Sequence, residues 1–181
     1  PPEVQTEVSM GLEHPNNAAA HYNLGIAYGK SGQYQEAIAS YKKALRIKPD
    51  HANAHYNLGI AYGKSGQYQE AIASYKKALR IKPDYAEAHN NLGLAYSKSG
   101  QHQEAIASYK EAIRIKPDYA NAHYNLGNAY GKSGQYQEAI ASYKEAIRIK
   151  PDLADAHNNL GYTYNELGQH QEAIASYKEA L

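Results

Sequence analysis

Apolar and polar positions along the chain follow a helical period, and they do so twice in each segment of 34 residues. His21, Leu24, Gly25 and Tyr28 fall at the i, i+3, i+4, i+7 spacing that marks one buried face of a helix. Gly32 follows as a stop signal, because glycine tolerates the left-handed conformation that ends a helix. A second stripe then runs through Tyr34, Ala37, Ile38, Tyr41, Ala44 and Leu45, with Gln35, Glu36, Lys42, Lys43 and Arg46 on its outer side. Pro49 stops this second helix, and Asp50 is placed to cap the next one. Each unit is therefore predicted to be a helical hairpin, with Gly25 and Ala37 small where its two helices approach.

The unit recurs in phase. Pro49, Pro83, Pro117 and Pro151 are spaced 34 residues apart, and Asn-Leu-Gly returns at Asn23, Asn57, Asn91, Asn125 and Asn159. Residues 18–51 and 52–85 differ only at Ala19/Asn53 and His51/Tyr85. The expected division is 18–51, 52–85, 86–119 and 120–153, then a truncated fifth unit, 154–181. Residues 1–17 carry Pro15 in register and an apolar strip of Val4, Val8 and Leu12, so they read as a degenerate second helix of a preceding unit. No proline turn or polar capping helix follows Leu181, which suggests a piece of a longer array or a domain that stacks end to end.

A single hairpin cannot bury its apolar stripe. Stacked neighbours make one continuous core, with a stability close to a sum over adjacent interfaces. The 34-residue period and the Leu-Gly…Tyr…Ala…Tyr…Ala…Pro pattern resemble the tetratricopeptide repeat family over residues 18–181. The chain departs from the family by placing His21, His55, His89, His123 and His157 where Trp is common, and Tyr41 and its equivalents where Phe is usual. The resemblance implies an all-α fold: a right-handed superhelical solenoid of antiparallel helical hairpins, with first helices lining a concave groove. It also implies a protein–protein interaction scaffold that binds an extended peptide or partner segment in that groove, and not an enzyme. Pentatricopeptide RNA readers fit the period and the proline less well.

Several residues carry the expected groove contacts. Asn23, Asn57, Asn91, Asn125 and Asn159 form a ladder, one rung per hairpin. An amide offers both donors and an acceptor, which matches a peptide backbone. The ladder resembles that of O-GlcNAc transferases, but such amides also serve to bond adjacent hairpins. Tyr22, Tyr56 and Tyr124 stand beside it with Asn90 and Asn158 in the same register, and tyrosine is enriched at binding hot spots. Ile26, Ile60 and Leu94 make one part of the groove apolar, and Asn128 takes their place farther along. Lys30, Lys64, Lys98 and Lys132 line one edge, as receivers of an acidic segment or as solvated cations. Gly29, Gly63 and Gly131 near the end of the first helix either keep room for a ligand or mark early fraying.

Composition removes other classes. There are 19 Tyr but no Phe, Trp or Cys among 181 residues. Copying of one small unit explains the first count, and the absence of Cys excludes thiolate chemistry and disulfides. The net charge is only +1, a poor footprint for nucleic acid. Charged residues interrupt every apolar run, so no membrane insertion is expected. His51 and His55 are spaced i, i+4, but no third ligand accompanies them, and neither a metal nor another cofactor is expected. Repeated Ser, His and Glu lie too far apart along a solenoid to converge on a reacting atom.

Charge is uneven along the array. Residues 18–51 carry Lys30, Lys42, Lys43, Arg46 and Lys48 against Glu36 and Asp50, a balance of +3 that residues 52–85 repeat. Residues 154–181 set Lys178 against Asp155, Glu166, Glu172 and Glu179, a balance of −3. Such opposition favours head-to-tail self-association. The runner-up function is a substrate-recruiting arm of a larger, glycosyltransferase-like enzyme.

Overall fold

The computed structural model describes residues 17–181, and these form helices joined by short turns. In chain order they are α1 (Ala18–Lys30), α2 (Tyr34–Ile47), α3 (Ala52–Lys64), α4 (Tyr68–Ile81) and α5 (Ala86–Lys98). They continue with α6 (His102–Ile115), α7 (Ala120–Lys132), α8 (Tyr136–Ile149), α9 (Ala154–Glu166) and α10 (His170–Glu179). Among the described residues there is no strand. The degenerate helix expected over residues 1–17 falls outside the described residues except for Asn17. That side chain caps α1 by accepting from the Ala20 N–H at 3.0 Å.

Each odd-numbered helix packs antiparallel on the next helix as a hairpin, and each hairpin packs on its neighbour. The turn inside every hairpin ends the first helix with paired bonds. In the second hairpin the Gly66 N–H reaches the Gly63 carbonyl at 3.2 Å, and the Gln67 N–H reaches Tyr62 at 2.9 Å. That pairing requires a left-handed residue between them, and Gly66 supplies it with φ +79°.

The hairpin itself is held by a ring lying on a missing side chain. Tyr75 packs so closely on Gly59 that a Cβ there would lie 2.6 Å from its Cε1. Tyr41 and Gly25, Tyr109 and Gly93, and Tyr143 and Gly127 repeat the arrangement. Ala71 and Ala78 of α4 are fully buried, as their small side chains allow.

The pattern-based expectation that α1 buries its stripe does not hold at the start of the array. Leu24 is 45% exposed, whereas its copy Leu58 is only 7% exposed against the preceding hairpin. The same side chain is core where a preceding hairpin packs on it, as at Leu58, and exposed at the first described helix. Asp50 is not the helix cap it was expected to be. The chain turns over Pro49 and Asp50, and α3 begins after His51, whose Nδ1 accepts from the Ala54 N–H at 3.2 Å.

Consecutive first helices touch one another: α1 with α3, α3 with α5, α5 with α7 and α7 with α9. Consecutive second helices do not, among the described residues. First helices are thus gathered on the inner side of the stack, and second helices are spread on the outer side with open furrows between them.

Candidate functional site

The inner face is built from the ends of first helices and the starts of second helices. At successive junctions it forms hollows of similar composition. Between the first two hairpins Ile26, Gly29, Lys30, Tyr34, Tyr41, Asn57, Ile60 and Lys64 surround about 290 Å3. Between the second and third, Ile60, Gly63, Lys64, Tyr68, Tyr75, Asn91, Leu94 and Lys98 surround about 350 Å3. Between the fourth and fifth, Asn128, Gly131, Lys132, Tyr136, Tyr143, Asn159 and Tyr162 surround about 470 Å3. At the junction of the third and fourth hairpins, Ser97 and His102 stand where the others have Gly and Tyr.

The asparagines point across the junctions and bond the preceding hairpin. Asn57 Nδ2 donates to the Tyr22 hydroxyl at 2.9 Å, Asn91 to Tyr56 at 3.1 Å and Asn159 to Tyr124 at 3.2 Å. Where Asn90 replaces the tyrosine, Asn125 donates to the Asn90 Oδ1 at 3.1 Å. Asn159 also donates to the Asn128 Oδ1 at 2.9 Å. The ladder is therefore a set of inter-hairpin ties. It is not fully spent: within the described residues the carbonyl oxygens of Asn57, Asn125 and Asn159 accept no bond, so acceptor capacity remains on this face.

The neighbouring candidates divide by exposure. Tyr22, Tyr56 and Tyr124 are half-buried, and their rings lie 5.9–6.0 Å from Tyr41, Tyr75 and Tyr143. Burial raises the Tyr56 hydroxyl to about 12, as do the nearby Tyr85, Tyr119 and Glu87. Asn90 is 7% exposed, and its amide is taken up by Asn91 and Asn125, so it supports the wall from behind. Ile26 and Ile60 are half-buried, Leu94 is exposed, and Asn23 and Asn158 are exposed. Asn128 accepts from the Tyr143 hydroxyl at 2.7 Å. Lys30, Lys64, Lys98 and Lys132 are exposed and each lines a hollow.

Gly63 lies inside α3, which runs on to Lys64, so the helix does not fray at this point. A Cβ at Gly63 would meet no atom within 4 Å, and one at Gly29 or Gly131 would make only ordinary contact with a tyrosine hydroxyl. These glycines are not required by packing; they leave the hollows wider.

Sequence reasoning missed Tyr34, Tyr68 and Tyr136, and it placed Tyr41, Tyr75 and Tyr143 only in the core. The second group does both jobs: each ring packs on a glycine while its edge reaches a hollow. Tyrosine where phenylalanine is usual was the available signal, since a hydroxyl on a core ring needs a polar outlet. Burial pushes the Tyr41 hydroxyl up to about 12 and raises those of Tyr75 and Tyr143 further.

The repeated histidines are structural ties. The Nε2–H of His55, His89, His123 and His157 donates to the carbonyl of Pro49, Pro83, Pro117 and Pro151 at 2.8–2.9 Å. With the His51 Nδ1 capping α3 and His55 tied to Pro49, the i, i+4 pair does not converge on a common point. Among the described residues no group of three His, Asp or Glu side chains is placed to hold a metal ion. No helix among them is long and apolar enough to cross a membrane.

Comparison with known proteins agrees with this geometry. A family model described as TPR repeat matches residues 30–66, 62–100, 96–134 and 128–168. Models described as tetratricopeptide repeat match residues 13–39 and 156–181. No curated protein matches the chain. Among solved structures, a crystal structure of MamA is 33% identical, with 87% of this chain and 92% of that chain covered and a TM-score of 0.83. MamA from Desulfovibrio magneticus RS-1, residue 41 to its end, is 24% identical over 90% of this chain and 92% of that one, with a TM-score of 0.85. YrrB, described as a TPR protein with an unusual peptide-binding site, is 24% identical over 96% and 89%, with a TM-score of 0.79.

Proposed function

The chain belongs to the tetratricopeptide repeat family, and from that premise we propose that its inner face grips an extended segment of a partner polypeptide. The observation that carries the reading is the recurrence of hollows along one face, each with a tyrosine hydroxyl and a lysine rim, and with an aliphatic wall in the two that Ile60 lines. An extended segment crossing the junctions would seat successive side chains in these hollows. The spare carbonyls of Asn57, Asn125 and Asn159 would accept from its backbone N–H groups. Apolar side chains suit the hollows beside Ile60 and Leu94, and polar ones suit the hollow beside Asn128. Acidic side chains suit the lysine rims. YrrB, a fold relative, carries a peptide-binding site.

The test is a peptide-array screen followed by fluorescence anisotropy on the bound sequences. Lys64→Glu with Lys98→Glu reverses two exposed rim charges without touching the core. Affinity is expected to fall at least about tenfold, since reversing rim charges replaces attraction with repulsion. Unchanged affinity in this variant, with an intact helical signal, overturns the reading.

A second reading rests on exposed apolar side chains at the two ends. Ile174 is 48% exposed on α10, while its copy Ile38 is 5% exposed beneath the next hairpin. With Leu24 on α1, these faces suit docking of a further hairpin, from this polypeptide or from a second copy stacked head to tail. Sedimentation over a range of concentrations tests the second copy: a monomer at every concentration excludes it.

A further inference from the structure

The outer side of the stack holds a site of a different kind. Because second helices do not touch, a groove of about 820 Å3 opens between α2 and α4. Leu58 and Tyr62 of α3 form part of its lining, and Lys43, Arg46, Lys77 and Arg80 rise from its two walls. Glu70 is the one acidic side chain lining it.

Near-identity of the repeats makes their few differences informative. Where Lys43 and Lys77 stand in α2 and α4, α6 and α8 carry Glu111 and Glu145. Those glutamates bind the arginine three residues on, Glu111 to Arg114 at 2.6 Å and Glu145 to Arg148 at 2.5 Å. Each glutamate is held below the usual carboxylate range by its arginine. The outer faces of the later hairpins are thereby neutralised within themselves. Lys43, Arg46, Lys77 and Arg80 have no acidic partner among the described residues. The same four-residue stretch is self-compensated in two hairpins and left cationic in the two that flank this groove.

His55 adds an independent observation. It lines the groove at 8% exposure, its Nε2 is tied to Pro49, and its buried Nδ1 has no partner. Burial holds its pKa down, and the charges of Lys77, Arg80 and His51 push in the same direction against the Pro49 bond.

We propose that the groove between α2 and α4 is a second protein-docking site, which takes an acidic segment bearing apolar side chains from a partner polypeptide. The charge pattern selects this occupant. Carboxylates pair with cations on both walls while an apolar side chain covers Leu58 and Tyr62. A nucleic acid is disfavoured because the chain as a whole carries only +1 and the cationic patch is confined to one furrow. The site lies on the face opposite the asparagine ladder and does not depend on the inner-face reading.

The test uses a fluorescein-labelled synthetic peptide rich in Glu with Leu at every fourth position, and a Lys-for-Glu counterpart. An oligothymidylate serves as the nucleic-acid probe. Each is titrated against the full chain and against Lys43→Glu with Lys77→Glu. That variant copies α6 and α8, so it is expected to keep its helical signal and melting; Lys43→Ala with Lys77→Ala is the alternative if it does not. The acidic peptide is expected to bind the unmodified chain in a salt-dependent manner and the variant at least about tenfold more weakly. Lys64→Glu with Lys98→Glu, titrated alongside, separates the two faces: a loss of affinity in that variant with none in Lys43→Glu with Lys77→Glu would seat the acidic peptide on the inner face and overturn the proposal. By NMR, bound carboxylates are expected to raise the midpoint of the His55 titration. Equal affinity for both proteins, no movement of His55 at saturation, or tighter binding of the oligothymidylate would each overturn the proposal.

Discussion

Two glycines four residues apart in α3 should respond oppositely to the same substitution. At Gly59 an added Cβ would lie 2.6 Å from Tyr75 Cε1 and 2.7 Å from Cδ1. The Tyr75 ring is itself buried, so it can yield only by shifting within the packed hairpin. Overpacking of this kind costs about 1–3 kcal/mol, and the contact distance places Gly59→Ala at the upper end. Helix propensity returns about 1 kcal/mol, so a net loss of about 2 kcal/mol is expected. At Gly63 no atom lies within 4 Å of the added Cβ, and φ is not positive. There the propensity gain stands alone, reduced because Gly63 is one residue from the helix end: about 0.5 kcal/mol. For a chain of this size 1 kcal/mol moves the melting temperature by about 2–4 °C. Gly59→Ala should therefore melt about 4–8 °C lower and Gly63→Ala about 1–2 °C higher, followed by circular dichroism. A solenoid need not unfold in one step, so hydrogen exchange of the second hairpin's amides should accompany the melts. A loss at Gly63 comparable to that at Gly59 would refute the reasoning, because it would mean the fold requires that glycine. If Gly63→Ala gains stability but weakens peptide binding, the glycine is retained for the hollow.

Other outcomes follow from the same geometry. The Tyr41 and Tyr56 hydroxyls are pushed up to about 12 by burial, whereas an unfolded tyrosine ionises near 10. Above about pH 10 the unfolded chain gives up protons that the folded chain keeps, so stability is full below pH 10 and falls as pH rises towards 12. Melting temperature recorded with tyrosinate absorbance checks this; titration of every tyrosine near 10 with the helices intact would contradict it. Tyr56→Phe removes the acceptor of the Asn91 amide and should cost about 0.5–1.5 kcal/mol in urea melts. An unchanged midpoint would mean that the ladder bond adds no stability. Gly66→Ala forces a side chain into φ +79° and should cost about 1–2 kcal/mol, whereas Ser65→Ala beside it should cost less.

Much of the fold was legible because the repeat states its own rules several times. The i, i+3, i+4, i+7 stripes, the turn glycines and the prolines placed both helices of each hairpin, since local geometry alone decides those features. Asp50 was misjudged as a cap because Pro49 and Asp50 together form the turn, which shifts the helix start by one position. The groove residues were legible as a face but not as partners. Nothing in the order Asn57 and Tyr22 tells that one donates to the other, because the two belong to different hairpins brought together only by stacking.

What the sequence determined by itself is the unit: a hairpin of 34 residues with a tyrosine over a glycine, copied until its apolar stripes could cover one another. What the tertiary structure decided is everything that depends on the spacing between copies. Contact among first helices and separation among second helices place the hollows on one side and the furrow on the other. Stacking commits one side of the asparagine ladder to the fold and leaves acceptors on the inner face. It also sets Lys43 and Arg46 of one hairpin across from Lys77 and Arg80 of the next, over Leu58 and Tyr62. A helical period specifies which residues share a face; which faces come together is settled by packing between hairpins.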